Sequence, residues 1–306
     1  MKRSCLFLLV SVAMVFVLGF FVWSQRQGLL DAASDIERMA AAPVAVPFEK
    51  VTPSVEKVEE KELSETSSET ESLPTEITET DEVDPALQPE ESPAQEETAA
   101  EAETDETSST PLTFNLAVPF TSQAPFGEWD LVHEDTCEEA ALYMTDEFYK
   151  GTSAGQIAAA TADTELLKIV EFEKALFGFF ESTTALQISI LAEQMYGYEK
   201  VRLIENPTVE DLKIHIAAGR PVIVPSAGRM LGNPNFSGEG PLYHALVLKG
   251  YTDTTFVTND PGTRRGADYQ YSFDTIMNAM HDWNSGDVEN GAKVVVVIYP
   301  NPSSTP

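Results

Sequence analysis

Asp135-Thr136-Cys137-Glu138-Glu139-Ala140-Ala141-Leu142-Tyr143-Met144 reads as a helix cap followed by an amphipathic helix, with Asp135 or Thr136 at the N-cap and acids in the first turn. Cys137 opens that helix. A thiol there faces unpaired backbone N–H groups and the positive end of the helix dipole, which favours the thiolate. The chain has 2 cysteines, and the other, Cys5, lies at the extreme N-terminus. A lone cysteine with histidines elsewhere fits a catalytic nucleophile, and it equally fits a small buried core residue. The surrounding sequence must decide between them.

Downstream, His244-Ala245-Leu246-Val247-Leu248-Lys249-Gly250-Tyr251 is an apolar strand with a histidine at its mouth, directly after the glycine-rich loop Gly228 to Tyr243. Asp260 ends the next apolar run, in Val257-Thr258-Asn259-Asp260-Pro261-Gly262. In an antiparallel pair the start of one strand lies beside the end of the next, so Asp260 can orient the His244 ring. An Asp-Pro-Gly turn with no further role is the alternative. His133 falls in a loop, His215 in a helix and His281 near a helix C-terminus. The loop from Gly228 to Pro241 is long enough to form one rim of a substrate groove, with Arg229 or Met230 near the substrate; a passive connector is the alternative. Trp129 is a further substrate-binding candidate.

The periodicity predicts helices over Glu138–Tyr149, Ser153–Ala160, Thr164–Phe177, Thr184–Met195, Thr208–Gly219 and Phe273–Trp283. Strands are expected at Lys200–Ile204, Val222–Val224, Ala245–Tyr251, Thr255–Thr258, Tyr269–Tyr271 and Lys293–Tyr299. Helices first and an antiparallel sheet afterwards make an α+β domain, spanning residues 112–301. One cysteine within it excludes an internal disulfide.

The N-terminal third is of another kind. Leu6 to Trp23 carries no charge and follows Lys2 and Arg3. Residues 1–28 therefore read as a single-pass anchor, with the remainder exported; a cleaved signal peptide is the competing reading. Cys5 beside the membrane is an acylation candidate. Between Val51 and Thr110 stand twenty acids, two lysines and no aromatic residue. Residues 29–111 thus read as an acidic, Pro/Ser/Thr/Glu-rich disordered tether with a span of roughly 45 Å or more. This segment carries more than half of the net charge of −31, so that charge does not describe a binding face. The sequence shows no phosphate loop, basic nucleic-acid patch or metal-ligand cluster, so no cofactor and no metal are expected.

The ordered residues Gln123, Cys137, His244 and Asp260 resemble the papain-clan cysteine peptidases of the bacteriocin-processing, double-glycine peptidase-like family. Val118-Pro119-Phe120-Thr121-Ser122-Gln123 is similar to that family's opening strand, and Tyr243-His244 and Asn259-Asp260-Pro261-Gly262 are intact. The resemblance covers nearly all of the distal domain. It implies a papain-like fold, with Cys137 as nucleophile, His244 as general base, Asp260 as orienting acid and the Gln123 amide as an oxyanion donor. With the helix dipole and His244 stabilising its thiolate, Cys137 is expected to lie exposed in a groove with a lowered pKa and to be alkylated faster than an ordinary thiol.

Many relatives follow the cysteine with Gly-Pro, whereas Glu138-Glu139 stand here, and an adjacent acid opposes thiolate formation. No ATP-binding domain follows, so Gly-Gly specificity is not carried over. The expected protein is a membrane-tethered, extracytoplasmic, monomeric cysteine peptidase acting on a peptide or protein. The alternatives are a peptidoglycan amidase or endopeptidase of the same clan, and a non-catalytic peptide-binding module.

Overall fold

The structure, a computed structural model, describes residues 41–51 and 110–302. The expected anchor, residues 1–28, lies outside the described residues, as does most of the expected tether. Among the described residues no helix is long and apolar enough to cross a membrane.

Seven strands form one sheet. They are β1 (Phe114–Asn115), β2 (Val201–Glu205), β3 (Val222–Ala227), β4 (Tyr243–Tyr251), β5 (Thr255–Asn259), β6 (Tyr269–Ser272) and β7 (Val294–Ile298). Their order is β2-β7-β3-β4-β5-β6, every named pair is antiparallel, and β1 adds to β4. β3, β4 and β7 are buried along their whole lengths, around the apolar runs Val222–Val224, Ala245–Leu248 and Val294–Ile298.

The helices are α1 (Cys137–Tyr149), α2 (Ala159–Leu176), α3 (Ala185–Gln194), α4 (Val209–Ala217) and α5 (Phe273–Ala279). Capping boxes at Thr184/Gln187 and Thr208/Asp211 start α3 and α4 where the sequence expects them. The α+β reading with an antiparallel sheet holds.

Helix α1 departs from expectation. It is not amphipathic: every residue except Glu147 is buried, Glu138 and Glu139 included. It packs on β4 and β3 and also on α2 and α3, so it has no solvent face. Thr136 holds the N-cap position, but its hydroxyl donates to the Gln123 carbonyl and not to the helix.

Two expected helices are shorter than read. The stretch Ser153–Ala160 is not helical before Ala159, because Phe120 pairs with Gln156 in the manner of a strand. The Phe120 N–H donates to Gly155 O and the Ile157 N–H to Phe120 O, which consumes the backbone groups a helix would need. Helix α5 stops at Ala279 because Met280 bridges Ser226 and the His281 N–H donates to Pro225 O. The segment Val118–Gln123 forms no strand beyond the single Phe120 bridge, and Gln123 lies in a bend.

Residues 41–51 fall within the span read as tether, yet they lie on the folded unit. Val46 pairs with Leu116 in parallel, the Asn115 side chain donates to Pro43 O, and Phe48 sets its ring edge-on to Phe148 and Tyr149.

Candidate active site

The β4–β5 register pairs Val247 with Asn259. Continued toward the start of β4, it brings the turn after Asn259 alongside His244. That is where the sequence argument put Asp260. His244 Nε2 lies 2.8 Å from Asp260 Oδ1, with both side chains buried. Nδ1 of the ring is thereby left to exchange a proton.

Three further groups hold the Asp260 carboxylate. The Gly262 N–H donates to Oδ1 at 3.0 Å, and Oδ2 accepts from the Tyr271 hydroxyl at 2.6 Å and from the Asn233 amide at 3.0 Å. Burial works to raise the pKa of Asp260. His244 and then the Tyr271 and Asn233 bonds outweigh it, and the carboxyl stays below its ordinary value. Asp260 in turn joins burial in pushing the Tyr271 phenol well up.

The His244 ring sits in a close-fitted socket. Phe236 meets it edge-on at 5.4 Å. A Cβ on Gly262 would lie 2.8 Å from His244 Cε1, and one on Gly228 would lie 3.0 Å from His244 Cβ and 2.6 Å from Pro241 O. Larger residues at these two positions would displace the ring. The loop before β4 therefore does more than deliver the chain: Asn233 and Phe236, both within it, clamp the acid and the imidazole.

Cys137 opens the helix that packs on the same strand, and the Ala245 backbone N–H on that strand works to lower its thiol pKa. The thiol, however, is neither exposed nor acidified. Cys137 is buried, and its Sγ–H donates to Glu138 Oε2 at 2.9 Å. Burial first, and then the charges of Glu138 and Glu139, push the thiol pKa well above its ordinary value. The dipole of α1 and the Ala245 N–H act the other way and lose. The expectation of an exposed, low-pKa thiol is thus corrected: helix α1 is central, so its first turn is interior.

Glu138 heads a buried acidic group with Glu139 and Glu173. Burial raises Glu138 to about 8, and Glu173 and Asp135 add to the rise. Burial also pushes Glu139 well up and Glu173 to about 7. As carboxylates, Glu139 and Glu173 find no donor; with a proton on Glu139 the two bond to one another. Among the described residues no lysine or arginine pairs with Glu138.

Gln123 is buried beside this turn, and the Pro261 carbonyl accepts its backbone N–H. Its side-chain amide does not point at an open oxyanion site. Both N–H groups are spent, on His133 O at 2.9 Å and Glu134 O at 3.0 Å. They fasten the loop 124–132 to the entry of α1. The expected free donor is corrected to an engaged one.

The substrate-binding candidates lie in the loops around this end. Arg229 is half-exposed, its Nε 3.9 Å from Glu239 Oε2. Met230 follows it, and both belong to a short 3-10 turn directly after β3. Trp129 shares an exposed apolar loop with Phe126 and Leu131, and this loop leans on Arg264 of the turn that follows Asp260.

The other histidines are occupied. His133 contacts Asp130 and Asp163, the Arg220 Nε–H donates to His215 Nδ1, and His281 Nδ1 meets Gly291 O. Sequence reasoning did not find Asn233, Tyr271, Phe236 or Glu173. Asn233 and Phe236 lie in the loop it singled out, and Tyr271 lies on a strand it expected, which the structure pairs with β5.

A family model described as "Peptidase_C39 like family" matches residues 115–286, more than half of the chain. A candidate C39-like peptidase from Bacillus anthracis, known from its crystal structure, is similar at 15% identity and a TM-score of 0.42. That match covers 62% of this chain and 98% of the other. No curated protein matches the sequence.

Proposed function

Since this chain belongs to the C39-like peptidase family, we propose that it is a cysteine peptidase in which Cys137, His244 and Asp260 form the catalytic triad. The observation that carries the reading is the fully buried pair of His244, at the start of β4, and Asp260, 2.8 Å apart, beside the strand on which the Cys137 helix packs.

In the proposed reaction His244 Nδ1 takes the proton of Cys137, and the thiolate attacks the peptide carbonyl carbon. The imidazolium returns the proton to the leaving amine as the C–N bond breaks, leaving a thioester. Water, deprotonated by the same ring, then releases the acid and restores the thiol. Asp260 fixes the ring by Nε2 throughout. The Cys137 N–H belongs to the first turn of α1, where no intrahelical acceptor exists, and it is the backbone oxyanion donor of this scheme. For Gln123 to be the second donor, it would exchange one of its loop carbonyls for the oxyanion.

The proposal includes the setting read from the sequence: an anchor in residues 1–28, an acidic tether, and a monomeric catalytic domain on the extracytoplasmic side. Arg229, Met230 and Trp129 are its proposed substrate contacts.

The test is turnover of a peptide library by the full chain. Cys137→Ala and His244→Ala should each abolish it, because residues acting as one unit are not additive. Turnover that survives both substitutions overturns the triad. One feature favours a second reading, a peptide-binding module without turnover: the thiol and the Gln123 amide are both already engaged. Library peptides that bind the intact chain and are never cleaved would establish it.

A further inference from the structure

Glu138 contacts the sulfur directly, and no role is yet assigned to it. Its Oε2 accepts the Cys137 S–H at 2.9 Å, while Oε1 is buried without a donor. A carboxylate buried at 1% exposure with no cation is strongly disfavoured unless it gains a proton. The groups facing it leave little alternative. On its own helix these are Cys137 and Glu139. From other elements they are Asp135, Glu173 on α2, and Tyr243 beside His244 on β4, with Asp282 behind Tyr243. All of the carboxyls among them are acids of the same sign.

We propose that Glu138 is a positioning residue that governs whether Cys137 is released as a nucleophile. When ionised, Glu138 holds the S–H and keeps the thiol at rest. When protonated, it turns its own O–H toward the sulfur and supports the thiolate formed as His244 takes the thiol proton. The inference rests on the reading of Cys137 as nucleophile and His244 as its base. The step balances: Sγ–H loses its proton to Nδ1, the Glu138 O–H stays intact, and a thiolate–imidazolium pair forms beside a neutral acid. Because burial raises Glu138, the active form belongs to the acid and neutral range and is lost as pH rises through about 8. An ordinary thiol does the reverse and becomes more reactive with pH.

The experiment is alkylation of Cys137 by iodoacetamide in the full chain from pH 5 to 9.5, read by mass spectrometry of the Cys137 peptide so that Cys5 does not interfere. Wild type, Glu138→Gln and His244→Ala are compared. Gln is close in shape to the neutral acid and cannot ionise. The wild-type rate should pass through a maximum and fall above pH 8. The ratio of Glu138→Gln to wild type should rise at least tenfold between pH 6 and pH 9. His244→Ala should slow labelling at pH 6 at least tenfold. If His244→Ala slows labelling but the wild-type and Glu138→Gln profiles superimpose, the role of Glu138 is overturned and the triad stands. If His244→Ala leaves labelling unchanged, the triad reading falls first. Should Glu138→Gln not fold, the wild-type profile alone decides, and a monotonic rise with pH overturns the proposal.

Discussion

Gln123→Ala separates two roles of one side chain. In the structure the amide gives both N–H groups to the carbonyls of His133 and Glu134, closing the loop onto the entry of α1. Each such bond contributes about 1 kcal/mol net. Removing both strands two carbonyls beside a buried turn. Part of that loss is returned, because Gln123 Oε1 is itself buried without a donor. The expected destabilisation is about 2 kcal/mol, which for a folded unit of this size lowers Tm by about 4–8 °C. Thermal melting of the full chain, followed by circular dichroism, measures it. Gln123→Glu should be worse, because a carboxylate facing two carbonyls repels both. If Gln123→Ala melts with the wild type and loses about 10²–10³ in kcat, the amide serves the oxyanion and not the loop. The reasoning would then be refuted.

Tyr271→Phe removes the 2.6 Å bond to Asp260. It should cost about 1.5–3 kcal/mol in urea unfolding at pH 7, as for other bonds to charged groups, and slow Cys137 alkylation less than His244→Ala does. A chain beginning at Thr110 should melt several degrees below one beginning at Pro43, since it loses the Val46 bonds and the Phe48 rings; equal melting would assign residues 43–51 no part in the fold. The buried glutamates should make stability fall with rising pH. Their folded pKa values lie above the unfolded value of about 4.3, so between it and about 8 the folded state binds more protons and unfolding becomes easier as pH rises. Urea midpoints at pH 5 and pH 8 test this, and Glu139→Gln should flatten the difference.

The site was legible in the sequence where it follows from strand order. A histidine at the mouth of one apolar run and an aspartate at the end of the next meet in any antiparallel pair, and His244 and Asp260 do so. The residues that clamp them were not legible in the same way. Asn233 reaches Asp260 from 27 positions away along the chain and Tyr271 from 11. Neither separation follows from a periodicity. The docking of residues 41–51 was also hidden. Ala-Ala-Pro-Val-Ala-Val-Pro-Phe has no alternation to mark a strand, and only its contacts with Leu116 and the Phe148–Tyr149 rings fix its course.

The acids beside Cys137 were legible in the sequence for their sign and their place in the first turn, but not for their burial. Two glutamates in a first turn usually signal a solvated helix start that complements the dipole. That rule assumes an exposed end. Here α1 runs between sheet and helices, so Cys137, Glu138 and Glu139 are all interior. Burial reverses the usual logic: the same residues that would steady a surface helix instead compete for protons with one another and with the thiol. Glu173, from α2, completes that competition across the helix interface, a contact no local pattern encodes. If Cys137 is the nucleophile proposed above, its reactivity follows less from the helix end it occupies than from how many protons its carboxyl neighbours hold.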